Sequence, residues 1–449
     1  MKRAQPQTPE HKQPDRSLQT IFAAVFGGLL GLSLLKFGNP ILMEKLVDRP
    51  TNSWEWLLNP WPVIIGYWLL AGVTVMGLVI ARWKTRAPKI LVAMPLVWLA
   101  WEIIAAMHSE SPKLSWPVVG HFLTCVVCFY LGLFSLSRVE RMWPFWMGLI
   151  AGFFIVFAFG FEQHFGGLEE SRKYWLLYVY PTLKEIQPAL YKKMTTNRIF
   201  STLFYPNTLA GVILLLLPMT VAVFWSCRQR FTIGARWLLM GLAAIPAFAC
   251  LYWSGSKGGW LLMLVIGLLA AMYLPIQRRI KTVLIVAVLV LGLAGFFAKY
   301  AGFFKKGATS VVARFDYWEA ALKTTASKPV FGNGPGTFGE AYKRIKRPES
   351  EMSLLTHNDY LEQACDSGVL GFVTFTGFIA GSLVYVWRRG GLQNDWIKLA
   401  VWLGVLGWAL QSFVEFGLYI PALSWPAFGF LGWLLGRGGN QFDRQPTAS

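Results

Sequence analysis

Apolar residues in this chain come in long unbroken runs, and the polar residues gather in the gaps between them. Runs of about 18 or more apolar residues have the length of a membrane-crossing helix. Their cores lie near Ile21–Leu35, Val63–Ala81, Ile90–Met107, Val118–Leu136, Phe145–Phe161 and Leu209–Trp225. Further cores lie near Trp237–Trp253, Trp260–Leu274, Val283–Phe304, Val369–Trp387, Leu399–Phe416 and Ile420–Leu435. The pattern predicts an all-α polytopic membrane protein of about twelve transmembrane helices. It divides the chain into a tail over 1–17, a single transmembrane domain over 18–436 and a second tail over 437–449.

The short connections set an orientation. "RWKTRAPK", "SRVERM", "CRQRFTIGAR", "QRRIK" and "WRRGG" all fall on one side, together with the first tail. The opposite short connections, "HSESPKLSW" and "SGSKGG", carry fewer cations. Lys and Arg concentrate in cytoplasmic loops, so the first set is expected inside, with both termini cytoplasmic. The N-terminal "MKRAQPQTPEHKQPDRS" is polar and basic, and no small-residue cleavage site comes after it, so no cleavable leader is expected.

Two segments are too long for plain connectors, about 166–203 and about 305–368. Both fall on the outer face. Tyr174, Leu177 and Tyr178 in the first, and Phe315, Trp318 and Leu322 in the second, recur at helical spacing. These segments are expected to form short amphipathic helices on the outer leaflet.

Composition sharpens the picture only in part. Of 449 residues, 55% are hydrophobic and 14% charged, well below the charge of soluble domains. The net charge of +19 would raise nucleic acid as a partner in a soluble protein, but positive inner loops explain it and no nucleic-acid binding is expected. Cys125 and Cys128 form a C-x-x-C inside an apolar run and read as small core residues; Cys365 stands alone in a loop. Glu102, His121, Glu162 and Glu415 are costly in a membrane and stand out for that reason, with no motif around them.

Candidate chemistry collects on the outer face. In "TTNRIFSTLFYPNTLAG", Arg198 precedes a Pro206–Asn207 break at the start of a span. "YWSGSKGGW" sets Lys257 in a small-residue turn, and "VVARFDYWEA" places Arg314 on a helix ahead of the glycine-rich "GNGPG". "THNDYLEQ" carries His357, with Thr356 in position to cap the helix after it. Each has a plainer reading. Arg198 could snorkel at a helix end, Lys257 could be an interfacial cation, Arg314 could stack on Trp318, and His357 could simply begin a helix. Together, three cations and one His above aromatic-lined spans compose an anion site at a membrane surface. A pyrophosphate-linked lipid is the ligand such a site suits, its tail in lipid and its head among cations.

These residues resemble the O-antigen ligase family, which includes O-antigen polymerases and pilin O-oligosaccharyltransferases. The resemblance rests on R-x-x-x-x-x-x-x-P-N-x-L-A-G from Arg198, the S-x-S-[RK]-G turn, R-x-x-x-W with P-x-x-G-x-G-x-G-x-F, and H-N-x-Y-L-x-x-x-x-x-x-G-x-x-G from His357. It spans roughly Arg198 to Gly371. Lys257 stands where Arg is commoner, which keeps the charge and loses the bidentate fork.

The resemblance implies a metal-independent inverting glycosyltransferase with no cofactor, in the bacterial inner membrane, its active site facing the periplasm. The donor would be a glycan on undecaprenyl pyrophosphate, and the acceptor lipid A–core, another glycan or a protein hydroxyl. Ligation to lipid A–core is the leading reading, with polymerisation and protein glycosylation as alternatives inside the family. His357, Arg314 and Arg198 would be catalytic, while Lys257, Asn207, Asn358 and Tyr360 would bind substrate. A transporter of a lipid-linked or anionic solute is the rival from another class; it would place ionisable groups near mid-membrane in repeated motifs.

The orientation is directly testable. A membrane-impermeant thiol reagent should label cysteines introduced at Lys184 and Lys343 from the periplasmic side. Labelling only from the cytoplasm would overturn the orientation.

Overall fold

The computed structural model describes residues 16–174, 176–177, 195–305, 309–348 and 350–437, and these are mostly helical, with no strand among them. Both tails, Tyr178 and Lys184 lie wholly or largely outside the described residues. In chain order the helices are α1 (Arg16–Lys36), α2 (Ser53–Leu58), α3 (Val63–Ile80), α4 (Lys89–Met107), α5 (Pro112–Tyr130), α6 (Trp143–Glu162), α7 (Leu168–Tyr174) and α8 (Pro206–Ser226). Next come α9 (Ile233–Ser254), α10 (Lys257–Met272), α11 (Arg278–Lys305), α12 (Thr309–Ser327), α13 (Phe338–Ile345), α14 (Asp359–Arg388), α15 (Trp396–Gln411) and α16 (Pro421–Arg437).

Among the described residues, 9 helices are long and apolar enough to cross a membrane. The chain is a multi-pass membrane protein. The other three expected spans coincide with α10, α15 and α16, helices of 16, 16 and 17 residues, at the short end of what a bilayer needs.

Close packing begins with the glycines of α1 and α6. A Cβ on Gly27 would lie 2.1 Å from Phe145 O, and one on Gly152 would lie 2.4 Å from Gly31 O. The two backbones therefore touch, as small residues allow in membrane helices. The core continues through the fully buried indoles of Trp98, Trp408, Trp425 and Trp433. Helix α8 lies against α9 and α15, α14 against α4, and α16 against α5, whereas α11 packs chiefly on α10.

Hydrogen bonds between loops identify the two ends of the bundle. At one end Glu110 N donates to Asn333 O, Asp359 N to Ser412 O, and Arg198 Nε to Ser254 O. At the other, Arg82 N donates to Phe134 O and Arg138 Nη2 to Lys84 O. The first end carries every candidate residue; the second carries the arginine-rich connections.

The last stretch of the long outer segment is helical, and the helix breaks at Ser367 and Gly368, where that segment was expected to end. Helix α14 begins at Asp359 and runs through to Arg388, kinked at Ser367 and Gly368, so Cys365 sits buried inside a helix and not in a loop. One oxygen of each buried acid here finds a partner within the protein. Asp359 Oδ2 accepts from Leu418 N, Glu362 Oε2 from Thr356 N, Asp366 Oδ2 from Gly336 N and Tyr419 OH, and Glu102 Oε1 from Ser367 Oγ. Those contacts pin the loops to the bundle, and the "GNGPG" turn bonds to α14 through Asn333 N and Gly334 N. The turn is a staple for the kink. Within the long segment, α12 and α13 share a small core of Tyr317, Ala320, Ala321, Phe338 and Tyr342 with Cys365, while Phe315 and Leu322 stay exposed.

Gly27→Val should cost on the order of 1–3 kcal/mol or more, because the added atoms meet backbone that cannot move aside. Gly28→Ala meets nothing within 4 Å and should leave thermal stability in detergent unchanged. Equal melting temperatures for the two variants would refute the packing.

Candidate active site

Six helix ends converge on one cavity of about 330 Å³. Arg198 and Asn207 come from the lead-in and first turn of α8, Lys257 from the first residue of α10, and Arg314 and Trp318 from α12. Phe296 and Phe303 of α11 form an apolar wall, and Gln411 at the end of α15 and Glu415 just beyond it close the cavity.

The turn between α9 and α10 shows why these residues sit there. Helix α9 ends on Gly255 at φ 61°, a left-handed conformation, and a Cβ would stand 3.3 Å from Arg198 Nε. Ser256 then caps α10 by accepting from Gly259 N. With Gly255 lacking a side chain, Arg198 lies over the turn and donates from Nε to Ser254 O at 2.7 Å.

Glu415 holds the cluster together. Its Oε1 accepts from Arg314 Nη2 at 2.5 Å and from Asn207 Nδ2 at 2.6 Å. Its Oε2 faces His357 Nδ1 at 3.4 Å. Asn207 passes the network on, accepting from Arg198 Nη2 at 2.8 Å, and Gln411 fixes its backbone by donating to Asn207 O. Arg314 is further held by Val414 O and Ser310 O, both at 3.0 Å. Burial alone would raise the Glu415 carboxyl, but the Arg314 charge and His357 outweigh it and hold the group below its usual range. Burial lowers Arg198, and Glu415 partly offsets that; a guanidinium remains charged regardless.

The cations keep donors for a ligand. Arg198 commits Nε and one Nη2 hydrogen to the protein, and its Nη1 has no protein acceptor among the described residues. The Lys257 ammonium has aromatic faces for neighbours, Phe303 at 3.9 Å and Tyr300 at 5.3 Å from the ring centroids.

His357 lies on the far side of Glu415 from the cations. It lines a separate small pocket of about 40 Å³ with Leu42, Met43, Tyr205, Leu354 and Phe416. Its ring rests between Tyr317 and Phe416, at centroid distances of 5.8 and 4.8 Å. Its backbone is at φ 54°, uncommon for a residue with a side chain and found where surrounding structure enforces it.

Arg198, Lys257, Arg314 and Asn207 thus share the cavity, and Glu415 joins them to His357. Asn358 and Tyr360 are turned into the protein. Asn358, and not Thr356, caps α14, accepting from Tyr360 N and Leu361 N; Thr356 Oγ1 instead bonds the Asn358 backbone. Tyr360 OH donates to Ala409 O. Trp318 meets Phe315 edge-on and lines the cavity, while the Arg314 guanidinium is engaged by carbonyls and Glu415. Glu415 is the residue the motifs missed. Its only signal is a carboxylate in the apolar stretch "ALQSFVEFGLYI", 58 residues beyond His357.

Residues 242–376 match the family model described as O-Antigen ligase. That range contains Lys257, Arg314 and His357, and it leaves out Arg198, Asn207 and Glu415. A Haemophilus influenzae protein that carries the name "Uncharacterized protein" is 27% identical over 176 residues, covering 34% of this chain and 44% of the relative. The chain therefore spans less than half the length of that relative.

Ionised Glu415 stabilises the fold at neutral pH, because its folded-state pKa lies below the ordinary one. That contribution fades as pH falls through the lowered folded value. Glu415→Gln should cost about 3 kcal/mol at pH 7, by leaving Arg314 without its counter-charge. The melting-temperature gap to wild type should narrow as pH is lowered. Equal melting temperatures at pH 7 would contradict the assignment.

Proposed function

The chain carries an O-antigen ligase family region, and on that premise we propose that it transfers a glycan from undecaprenyl pyrophosphate to an acceptor hydroxyl at the periplasmic face of the inner membrane. The observation that carries this reading is the junction at Glu415: a cation-lined cavity on one side, His357 on the other, one carboxylate bonded to both. The twelve-span arrangement with cytoplasmic termini is part of the proposal and rests on loop charge.

In the reaction the acceptor oxygen forms a bond to the anomeric carbon as the carbon–oxygen bond to pyrophosphate breaks, which inverts that centre. The lipid pyrophosphate leaves carrying the bonding electrons. Arg198, Arg314 and Lys257 hold the negative charge that develops on it, a stabilisation preorganised by Asn207 and Glu415. Three cations around one cavity supply what a metal would otherwise supply. His357 takes the acceptor proton at Nε2, with Nδ1–H donated to Glu415 Oε2 so that Nε2 is the free base. The Phe296 and Phe303 wall suits the first isoprene units of the donor.

Ligation to lipid A–core is the preferred reading, and polymerisation or protein glycosylation the alternative within the family. Transport fits less well, because the charged groups meet at helix ends on one side of the bundle.

In proteoliposomes supplied with lipid-linked donor and acceptor, Arg198→Ala and Arg314→Ala should each reduce transfer by about 10²–10³-fold. Arg314→Lys should also be impaired, since it loses the fork. His357→Ala should keep donor binding and lose transfer by about 10²–10⁴-fold. Activity should survive EDTA. Wild-type transfer by the arginine variants at equal protein would overturn the mechanism. In cells, deletion should remove long-chain lipopolysaccharide and accumulate lipid-linked glycan; a single repeat retained on the core would select polymerisation instead.

A further inference from the structure

At the opposite end of the bundle from the active-site cavity lies a larger groove of about 640 Å³, lined by Thr20, Arg141, Met142, Trp143, Pro144 and Arg230. Three elements meet there: the N-terminal part of α1, the start of α6, and the connection from α8 to α9. We propose that this groove binds the phosphate headgroup of an anionic phospholipid in the leaflet opposite the active site.

The charge is unbalanced in a specific way. Arg141 and Arg230 are exposed and form no ion pair with any acidic residue among the described residues. The nearest carboxylate in sequence, Glu140, is engaged by Arg16 at 3.5 Å. Arg230 is held in place by chemistry that leaves its charge free. Its guanidinium stacks over the Trp143 ring at 4.9 Å, and Trp143 is braced in turn by Phe231 at 6.5 Å. A cation fixed by an aromatic face, and not by a carboxylate, keeps its donors for an incoming anion.

The neighbouring surface fits a lipid better than a free ion. Helix α6 starts at Trp143–Pro144 with no side-chain cap, so the positive end of a 20-residue helix lies beside the two arginines. Trp143 is half-buried, an indole at the end of a span where the membrane interface is expected, and Met142, Trp143 and Pro144 give the groove an apolar edge beside the cations. A basic pocket between transmembrane helices with an apolar flank matches a phosphate on an acyl chain. Its position also gives it consequence, since it sits at the end of the α1–α6 seam, where the two backbones touch.

The test is native mass spectrometry of the purified full chain, titrated with phosphatidylglycerol, phosphatidylcholine or inorganic phosphate. Wild type should retain one phosphatidylglycerol in preference to phosphatidylcholine, and inorganic phosphate should not displace it. The double variant Arg141→Ala with Arg230→Ala should bind roughly thirty-fold more weakly, about five-fold for each cation. Arg278→Ala with Arg279→Ala removes the same charge from exposed positions on the same face and should leave binding unchanged. Equal losses in the two double variants would mean general surface potential and overturn the site, as would wild-type retention by the first pair. Displacement by inorganic phosphate at matching concentration would overturn the lipid as its occupant. None of these readouts involves glycan transfer, so they stand or fall apart from the proposed reaction.

Discussion

A carboxylate in the low-dielectric end of a helix bundle must be neutralised by partners, and in Glu415 that requirement organises the whole site. Burial disfavours its charge, so Arg314, Asn207 and His357 are drawn onto its two oxygens. Those three side chains come from α12, α8 and the residue ahead of the α14 cap, elements far apart in sequence. Satisfying one charge therefore fixes the relative positions of the cation cavity and the imidazole. The pair is not a simple source of stability, since a buried ion pair roughly breaks even against apolar packing. It specifies an arrangement.

The acids of α14 are met differently, by hydrogen bonds from loops with no cation among the donors. Helix α14 carries Asp359, Glu362 and Asp366 on its inward side, and each accepts a hydrogen bond from a loop or loop-borne residue: Leu418 N, Thr356 N, and Gly336 N with Tyr419 OH. The polar residues kept by this apolar chain are concentrated where loops must be held against the bundle. His357, at φ 54° between Thr356 and Asn358, depends on that holding. Lipid cannot satisfy a stray backbone N–H, so the loops are held by groups of the protein itself.

The helices were legible because a membrane span announces itself by length; each of the twelve apolar cores overlaps a helix, and 9 helices among the described residues are long and apolar enough to cross. The grouping of Arg198, Lys257 and Arg314 was legible from their shared position at span ends. Contacts between segments distant in sequence were not. Glu415 has no motif around it, and its role appears only once α15 and α8 are side by side. Asn358 and Tyr360 were expected to bind substrate because the resemblance runs through H-N-x-Y-L from His357. A helix start alternates its side chains between cap, core and surface, so sequence neighbours of a site residue need not face the site; here one caps α14 and the other reaches Ala409.

The central claim is that the cavity between α8, α10 and α12 holds the pyrophosphate while Glu415 keeps His357 on the acceptor side. The most direct measurement is a cryo-electron microscopy structure of the full chain in nanodiscs with a lipid-pyrophosphate donor bound. The account predicts phosphate density within hydrogen-bond reach of Arg198 and Arg314, the sugar directed toward His357, and the lipid chain against Phe296 and Phe303. Phosphate density outside this cavity, with Arg198 and Arg314 unengaged, would contradict it.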